Sequence, residues 1–387
     1  MAFEARRTPA TPSAILRHAG YRLLEPFRPG LHTTDPGERE YIRLSLSENS
    51  YGMSPQAERA LRAEVTRTNR YPDSTAASLA ASIADHYSID PRNVVVGNGI
   101  DELLLFTALG LIGPGGTGIV SAGTYPGHEA AVHAVRAECV RIPLSEHRID
   151  VGATCAAMRR APRSVVYICN PHNPTGSLLT AEEIARLIAA AEDTDAVLVM
   201  DEAYMEFACP DFRDSAVSYV AGGAPVIVLR TFSKIYGLAG LRCGYAMAPS
   251  GYAEQLRKIK HVTVYNVNRF ALAAAEASLA DQDFVAMVRD RTRAAHEHFL
   301  RRIAPLPWVH AVPSVTNFVL CRLPWEPAWV AEQLIHRDVL VRPCSDMGFR
   351  NHIRVGLGAE AELDSVVDAL AAVAAASRPI ETAAARS

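Results

Sequence analysis

Between residues 94 and 247 the chain alternates short, continuously apolar runs with segments whose apolar residues recur at helical spacing. The runs at 94–96, 118–121, 139–142, 165–169, 196–200, 226–229 and 243–247 are too short for helices and rich in β-branched residues, so they predict strands. Amphipathic stretches at 102–112, 128–137 and 181–191 predict helices between them, as do 55–66 and 75–87 ahead of the first run. Strands that are apolar throughout are buried on both faces, and their interleaving with helices predicts a mainly parallel sheet flanked by helices. A helical stretch over 268–302 then leads into a second unit, with strands near 317–321, 340–341 and 353–355 and a closing helix from 360. Residues 16–50 hold several prolines and few periodic runs, which suggests an extended arm. The expected organisation is α/β, with an N-terminal arm over 1–50 and a large domain over 51–270. A smaller C-terminal α/β domain over 271–376 and a flexible tail over 377–387 complete it.

Charge and composition exclude several function classes. A formal net charge of −3 gives no electrostatic grip on nucleic acid or anionic lipid. No run approaches the ~20 apolar residues of a membrane-spanning helix, and the first thirty residues lack an apolar leader run. The chain therefore reads as cytoplasmic, with neither membrane nor nucleic acid as partner. Seven cysteines (Cys139, Cys155, Cys169, Cys209, Cys243, Cys321 and Cys344) are scattered, without a C-x-x-C pair or histidines at zinc spacing. They read as buried thiols, and no metal is expected.

Lysine usage changes the picture more. Of 39 basic residues only Lys234, Lys258 and Lys260 are lysines. A guanidinium stays protonated and cannot form a Schiff base, so a lysine kept in such a chain is a candidate for amine chemistry. Lys258 and Lys260 fall in a helical pattern, where a solvated face accounts for them. Lys234 sits between a predicted strand and a glycine-bearing turn.

In a sheet of this kind ligands bind beyond the carboxyl ends of the strands, so the polar residues after each run are the candidates. After the first comes Gly97-Asn98-Gly99-Ile100-Asp101, which can present N–H groups to an anion or form a turn with Asp101 as helix cap. Tyr125 follows the second run and can offer its face to a flat ring or simply pack. Asn170-Pro171-His172-Asn173-Pro174-Thr175-Gly176 makes a rigid loop that presents an amide. Asp201 ends a buried strand, which is costly unless it meets a positive partner or caps a helix. Beyond the sixth run, Thr231, Ser233, Lys234 and Arg242 combine hydroxyls, an amine and a guanidinium, a phosphate site beside a nucleophile.

Together, Asn173-Pro174-Thr175-Gly176, Asp201 with Tyr204, Lys234 with Arg242 eight residues on, and a late Arg354 resemble the fold-type I pyridoxal-phosphate aminotransferases. The strings VVYICNPHNPTG, DEAYMEF and LRTFSKIYGLAGLRCGY are similar to the histidinol-phosphate aminotransferases in particular, and the likeness runs from about residue 20 to 372. The resemblance implies an aspartate aminotransferase-like fold and pyridoxal 5'-phosphate as cofactor. It implies ping-pong transfer of an amino group from an amino donor to a 2-oxo acid, with 2-oxoglutarate and glutamate as co-substrates. On this likeness Lys234 would hold the cofactor as a Schiff base and shuttle a proton, and Asp201 would pair with the pyridine nitrogen. Tyr204 and Asn173 would hydrogen-bond the cofactor's phenolic oxygen. Arg242, Ser233, Thr231, Gly99 and Ile100 would hold the phosphate, Tyr125 would stack on the ring, and His128 would brace Asp201. Tyr71 of the RYPD run would reach the neighbouring subunit's phosphate, which implies a homodimer with shared active sites. Arg354, Arg342, Asn49 and Tyr265 would meet the substrate.

Two departures bear on the substrate. Phe27 stands where the family usually has a tyrosine, and Pro343-Cys344 follows Arg342 where an aspartate commonly does. Arg269, after the YNVN run at 265–268, adds a charge without an implied role. The open alternatives are a biosynthetic aminotransferase for aromatic or basic amino acids, or a lyase or decarboxylase of the same fold. A DNA-binding regulator would need a basic appendage, and a nucleotide-binding Rossmann protein a G-x-G-x-x-G after its first strand.

Overall fold

The computed structural model describes residues 40–376. Leaving single-turn helices aside, the elements in chain order begin with β1 (Ile42–Arg43), α1 (Pro55–Glu64), α2 (Ala77–Tyr87), β2 (Val94–Gly97) and α3 (Ile100–Thr107). Next come β3 (Thr117–Ser121), α4 (Gly127–Ala134), β4 (Glu138–Ile142), α5 (Val151–Arg160), β5 (Val165–Cys169), α6 (Ala181–Thr194) and β6 (Val197–Asp201). They continue with β7 (Val226–Thr231), β8 (Gly244–Met247), α7 (Ser250–Lys260), α8 (Arg269–Ala280) and α9 (Gln282–Ile303). The last are β9 (His310–Ala311), β10 (Phe318–Arg322), α10 (Pro327–Ile335), β11 (Val339–Leu340), β12 (Arg342–Pro343), β13 (His352–Gly356) and α11 (Glu360–Ala376).

The large sheet has the order β2-β8-β7-β6-β5-β3-β4. Every pairing is parallel except those of β8, which runs against both neighbours. Its central strands β5, β6 and β7 are apolar along most of their length, with Asp201, Arg230 and Thr231 only at the carboxyl ends, because helices cover both faces; one core includes Val166, Ile168, Leu198 and Val228, the other Val165, Tyr167, Val199 and Ile227. The smaller antiparallel sheet has the order β12-β13-β10-β9 and its own core under α9 and α11. Leu44, just after β1, joins that core, and β1 pairs in parallel with β11.

Local signals explain the helix starts. Ser54 caps α1 ahead of Pro55, and Thr180 with Glu183 forms a capping box on α6. Three expectations are corrected. The helical stretch over 268–302 is two helices, because Asp281 caps α9 by accepting from Phe284 N and also takes a hydrogen bond from Ser54 Oγ at 2.5 Å. The strand expected at 340–341 is interrupted there: Leu340 ends β11, and Val341 lies between it and β12. Lys260 does not lie on a solvated face: it is 6% exposed and donates to Val96 O at 2.8 Å, where the helix end meets β2. Lys258 does project outward, to Glu254 at 2.9 Å. No helix among the described residues is long and apolar enough to cross a membrane.

Candidate active site

In the large sheet the strands that lead to candidate residues, β2, β3, β5, β6 and β7, run the same way, so their carboxyl ends bring those residues to one side of the sheet. Lys234 follows β7, and its Nζ donates to the main-chain carbonyls of Leu46 at 3.0 Å and Ser47 at 3.4 Å. Burial first, and the Arg354 guanidinium second, pull its pKa down to about 8. Neutral amine is therefore accessible near physiological pH. Tyr204, reached through the turn after β6, lies beneath it, with the amine 5.5 Å from the ring centroid. Burial pushes the Tyr204 phenol well up, so it is a hydrogen-bond donor. Asp201 is 4% exposed at the end of β6; its Oδ2 lies 3.0 Å from His128 Nε2, and its Oδ1 accepts from Ala203 N.

Beside this amine lies a cradle suited to an anion. Gly99 opens α3 with a left-handed backbone (φ 88°) and no side-chain cap, so the first N–H groups of the helix need a partner. A Cβ at Gly99 would stand 2.6 Å from Arg242 Nη2; only glycine lets the guanidinium approach. Arg242 also donates to Ser233 Oγ at 3.3 Å, and Thr231 Oγ1 accepts from Ser233 N at 3.0 Å. Asp101, read above as a possible helix cap, instead joins the neighbouring loops: Tyr125 Oη donates to it at 2.8 Å and Arg242 Nη2 at 3.1 Å. No local pattern could have shown this, because the three residues lie far apart in sequence.

Arg354 comes from the small sheet and is 6% exposed. It donates to Asn173 Oδ1 at 2.5 Å and to Ser45 O at 2.7 Å, while its Nε has no partner among the described residues. Since arginine can only donate, this contact fixes the amide of Asn173 with its NH2 turned elsewhere as a donor. Arg342 stands directly opposite Arg354 across the β12–β13 pair, so both side chains emerge on one face, and Asp346 lies 2.5 Å from it. Asn49 uses its amide within the chain, donating to Ile235 O at 2.8 Å and accepting from Tyr51 N. It lines a cavity of about 450 Å³ together with Arg43, Glu48 and Ser233. Tyr71 and Tyr265 are not drawn into this cluster. They stack on each other at the surface, 76% and 48% exposed, with ring centroids 4.2 Å apart. Phe27 lies outside the described residues.

Sequence reasoning missed a network buried behind the acid. Arg230 is fully buried between Glu202 at 2.7 Å and Glu206 at 3.1 Å, with Phe212 and Tyr87 against its guanidinium. These neighbours of Asp201 and Thr231 point through the sheet to the other side, as the alternation of a strand requires. Its signal was present: charged residues inside otherwise apolar strands need partners.

The residues present fit a flat, phosphorylated aldehyde cofactor. There is an amine of depressed pKa, a buried carboxyl group braced by an imidazole, and a helix start that a Cβ would block. Comparison with known proteins agrees. Residues 39–370 match the family described as aminotransferase class I and II. A histidinol-phosphate aminotransferase of Carboxydothermus hydrogenoformans is 35% identical, over 87% of this chain and 92% of that one. The crystal structure of a histidinol-phosphate aminotransferase from Sinorhizobium meliloti in complex with pyridoxal-5'-phosphate superposes with a TM-score of 0.81. It is 28% identical and covers 96% of this chain and 99% of that one. A mutant aspartate aminotransferase of Thermus thermophilus shares the fold at a TM-score of 0.74, with 21% identity and 85% and 95% coverage. The chain belongs to the class I and II aminotransferases and is a pyridoxal-phosphate-dependent enzyme of the aspartate aminotransferase-like fold.

Proposed function

We propose that this enzyme moves an amino group from a phosphorylated amino alcohol, histidinol phosphate, to 2-oxoglutarate. The observation that carries the substrate is the placement of Arg342 opposite Arg354. Both side chains emerge on one face of that pair, and although Arg342 already has Asp346 beside it, two guanidiniums on one face favour a substrate that carries a phosphate or a carboxylate. The names of the curated relatives support the same reading. A panel of donors mixed with the yellow holoenzyme tests it. Histidinol phosphate should bleach the cofactor band faster than histidinol or any aromatic or basic amino acid; a faster aromatic donor overturns it.

The bound cofactor supplies a ring that accepts the electron pair left at the substrate α-carbon. Lys234 would hold it, and its Nζ would also be suited to take and return a proton at the substrate α-carbon, a role that fits an amine of pKa about 8. Asp201, braced by His128, would pair with the ring nitrogen, and Tyr204 and Asn173 would donate to the phenolic oxygen. Arg242, Ser233, Thr231 and the N–H groups at Gly99 and Ile100 would hold the phosphate, and Tyr125 would stack on the ring. Tyr71 reaches the phosphate of a second copy, so the working unit is a cytoplasmic homodimer, and Tyr265 borders the same shared site. Asn49 orders the loop beside Lys234 at the substrate's edge. The arm and the large domain divide near residue 50, and the small domain, which brings both arginines to the cleft, takes over along α9 beyond the expected 270, since Ala271, Val285 and Val288 pack in the large core and Ala295 and Phe299 in the small one.

A further inference from the structure

Arg269 is the first residue of α8, where the helix dipole disfavours a cation. Its side chain is nonetheless only 14% exposed, and its donors are all directed to one neighbouring segment. Nη2 donates to Tyr71 O at 3.1 Å, Nε reaches Arg70 O at 3.4 Å, and Nη1 pairs with the Glu64 carboxylate at the end of α1. That pairing is the largest cause holding the Glu64 carboxyl below its usual range. The guanidinium fork thus ties α1, the Arg70–Tyr71 main chain and the start of α8 into one piece.

What this piece carries is the exposed aromatic pair. Tyr265 lies four residues before Arg269, and Tyr71 is the residue whose carbonyl Arg269 grips. Their rings stack within 17° of parallel, yet burial in this chain does not explain the arrangement, since Tyr71 is 76% exposed. An exposed tyrosine on an unsupported turn would sample several rotamers and lose that freedom on docking. The grip on its main chain and the stack on its ring limit both sources of freedom beforehand.

We propose that Arg269, anchored by Glu64, is a positioning residue that braces the Tyr71–Tyr265 pair so that Tyr71 meets the partner subunit's cofactor phosphate already oriented. This rests on the cross-subunit role of Tyr71 given above. With its donors engaged on two carbonyls and a carboxylate, Arg269 acts through Tyr71 and not on the substrate.

The test is the rate at which holoenzyme loses its cofactor on dilution, followed by absorbance, in Arg269→Met, Tyr71→Phe and the double variant. Tyr71→Phe should speed loss by about tenfold, and Arg269→Met by about fivefold, as expected for a lost hydroxyl contact and a lost preorganisation. The double variant should be no faster than Tyr71→Phe to within about twofold, because the brace has nothing left to position. Arg269→Lys keeps a charge toward Glu64 but not the fork. It should restore the thermal midpoint while leaving cofactor loss fast, which a purely structural role would not do. Effects that multiply in the double variant overturn the brace, as does wild-type retention in Arg269→Met when Tyr71→Phe is fast. Wild-type retention in Tyr71→Phe removes the cross-subunit reading and the brace with it.

Discussion

The cleft around Lys234 and the corner around Tyr71 are built on opposite principles. In the cleft Asp201, Asn173 and Arg354 are each 4–6% exposed and have partners drawn from distant parts of the same chain. At the corner two aromatic rings stand in solvent while the groups beneath them are tightly held. Burial tunes chemistry, since it is the main cause of the low pKa at Lys234. On the proposed reading, exposure combined with rigidity prepares a contact that a second copy would complete. One protomer would then contain the reacting amine, with one of its anchoring contacts pointing outward.

The largest effect that separates the regions is expected for Lys234→Ala. Turnover should fall by at least about a thousandfold, the scale of a lost general base, while circular dichroism shows the fold retained. Next is Arg354→Met, which removes charged hydrogen bonds worth about 1.5–3 kcal/mol each and should lower kcat/KM by about a hundredfold. The same change should move the Lys234 pKa. Removing a neighbouring positive charge favours the protonated amine, so the midpoint for modification of apoprotein by an amine reagent should rise from about 8. An unmoved midpoint would break the link between burial, charge and reactivity. Tyr71→Phe comes third, with faster cofactor loss and little change in the half-reaction of cofactor still bound. The smallest effect is expected at an exposed pair that serves neither region: Lys258→Ala, facing Glu254, should change unfolding free energy by no more than about 0.5 kcal/mol. A larger change in denaturant midpoint would show that surface charge matters more here than the comparison allows.

Much of this was legible in the sequence because strands and their ends have local signatures. The apolar runs that became β5, β6 and β7 admitted little else, and the residues after them were marked by Asn-Pro turns, a terminal Asp and a rare lysine. What escaped was nonlocal. Asp281 interrupts a helical pattern partly through Ser54, and Lys260 is buried because its helix end meets Val96. Asp101 gained its role only when three loops met, and Arg269 had no visible purpose until the fold brought the Tyr71 carbonyl to it. Periodicity reports which face is covered, not which distant group covers it.

The central claim is that Lys234 is the amine that holds the cofactor, and the scarcity of lysine makes it unusually easy to test. Holoenzyme reduced with borohydride, digested and analysed by mass spectrometry should carry one pyridoxyl phosphate adduct, on the peptide containing Lys234. Lys258 and Lys260 are the only other lysines that could compete for it. An adduct on either of those, or a colourless protein with none, would contradict the account.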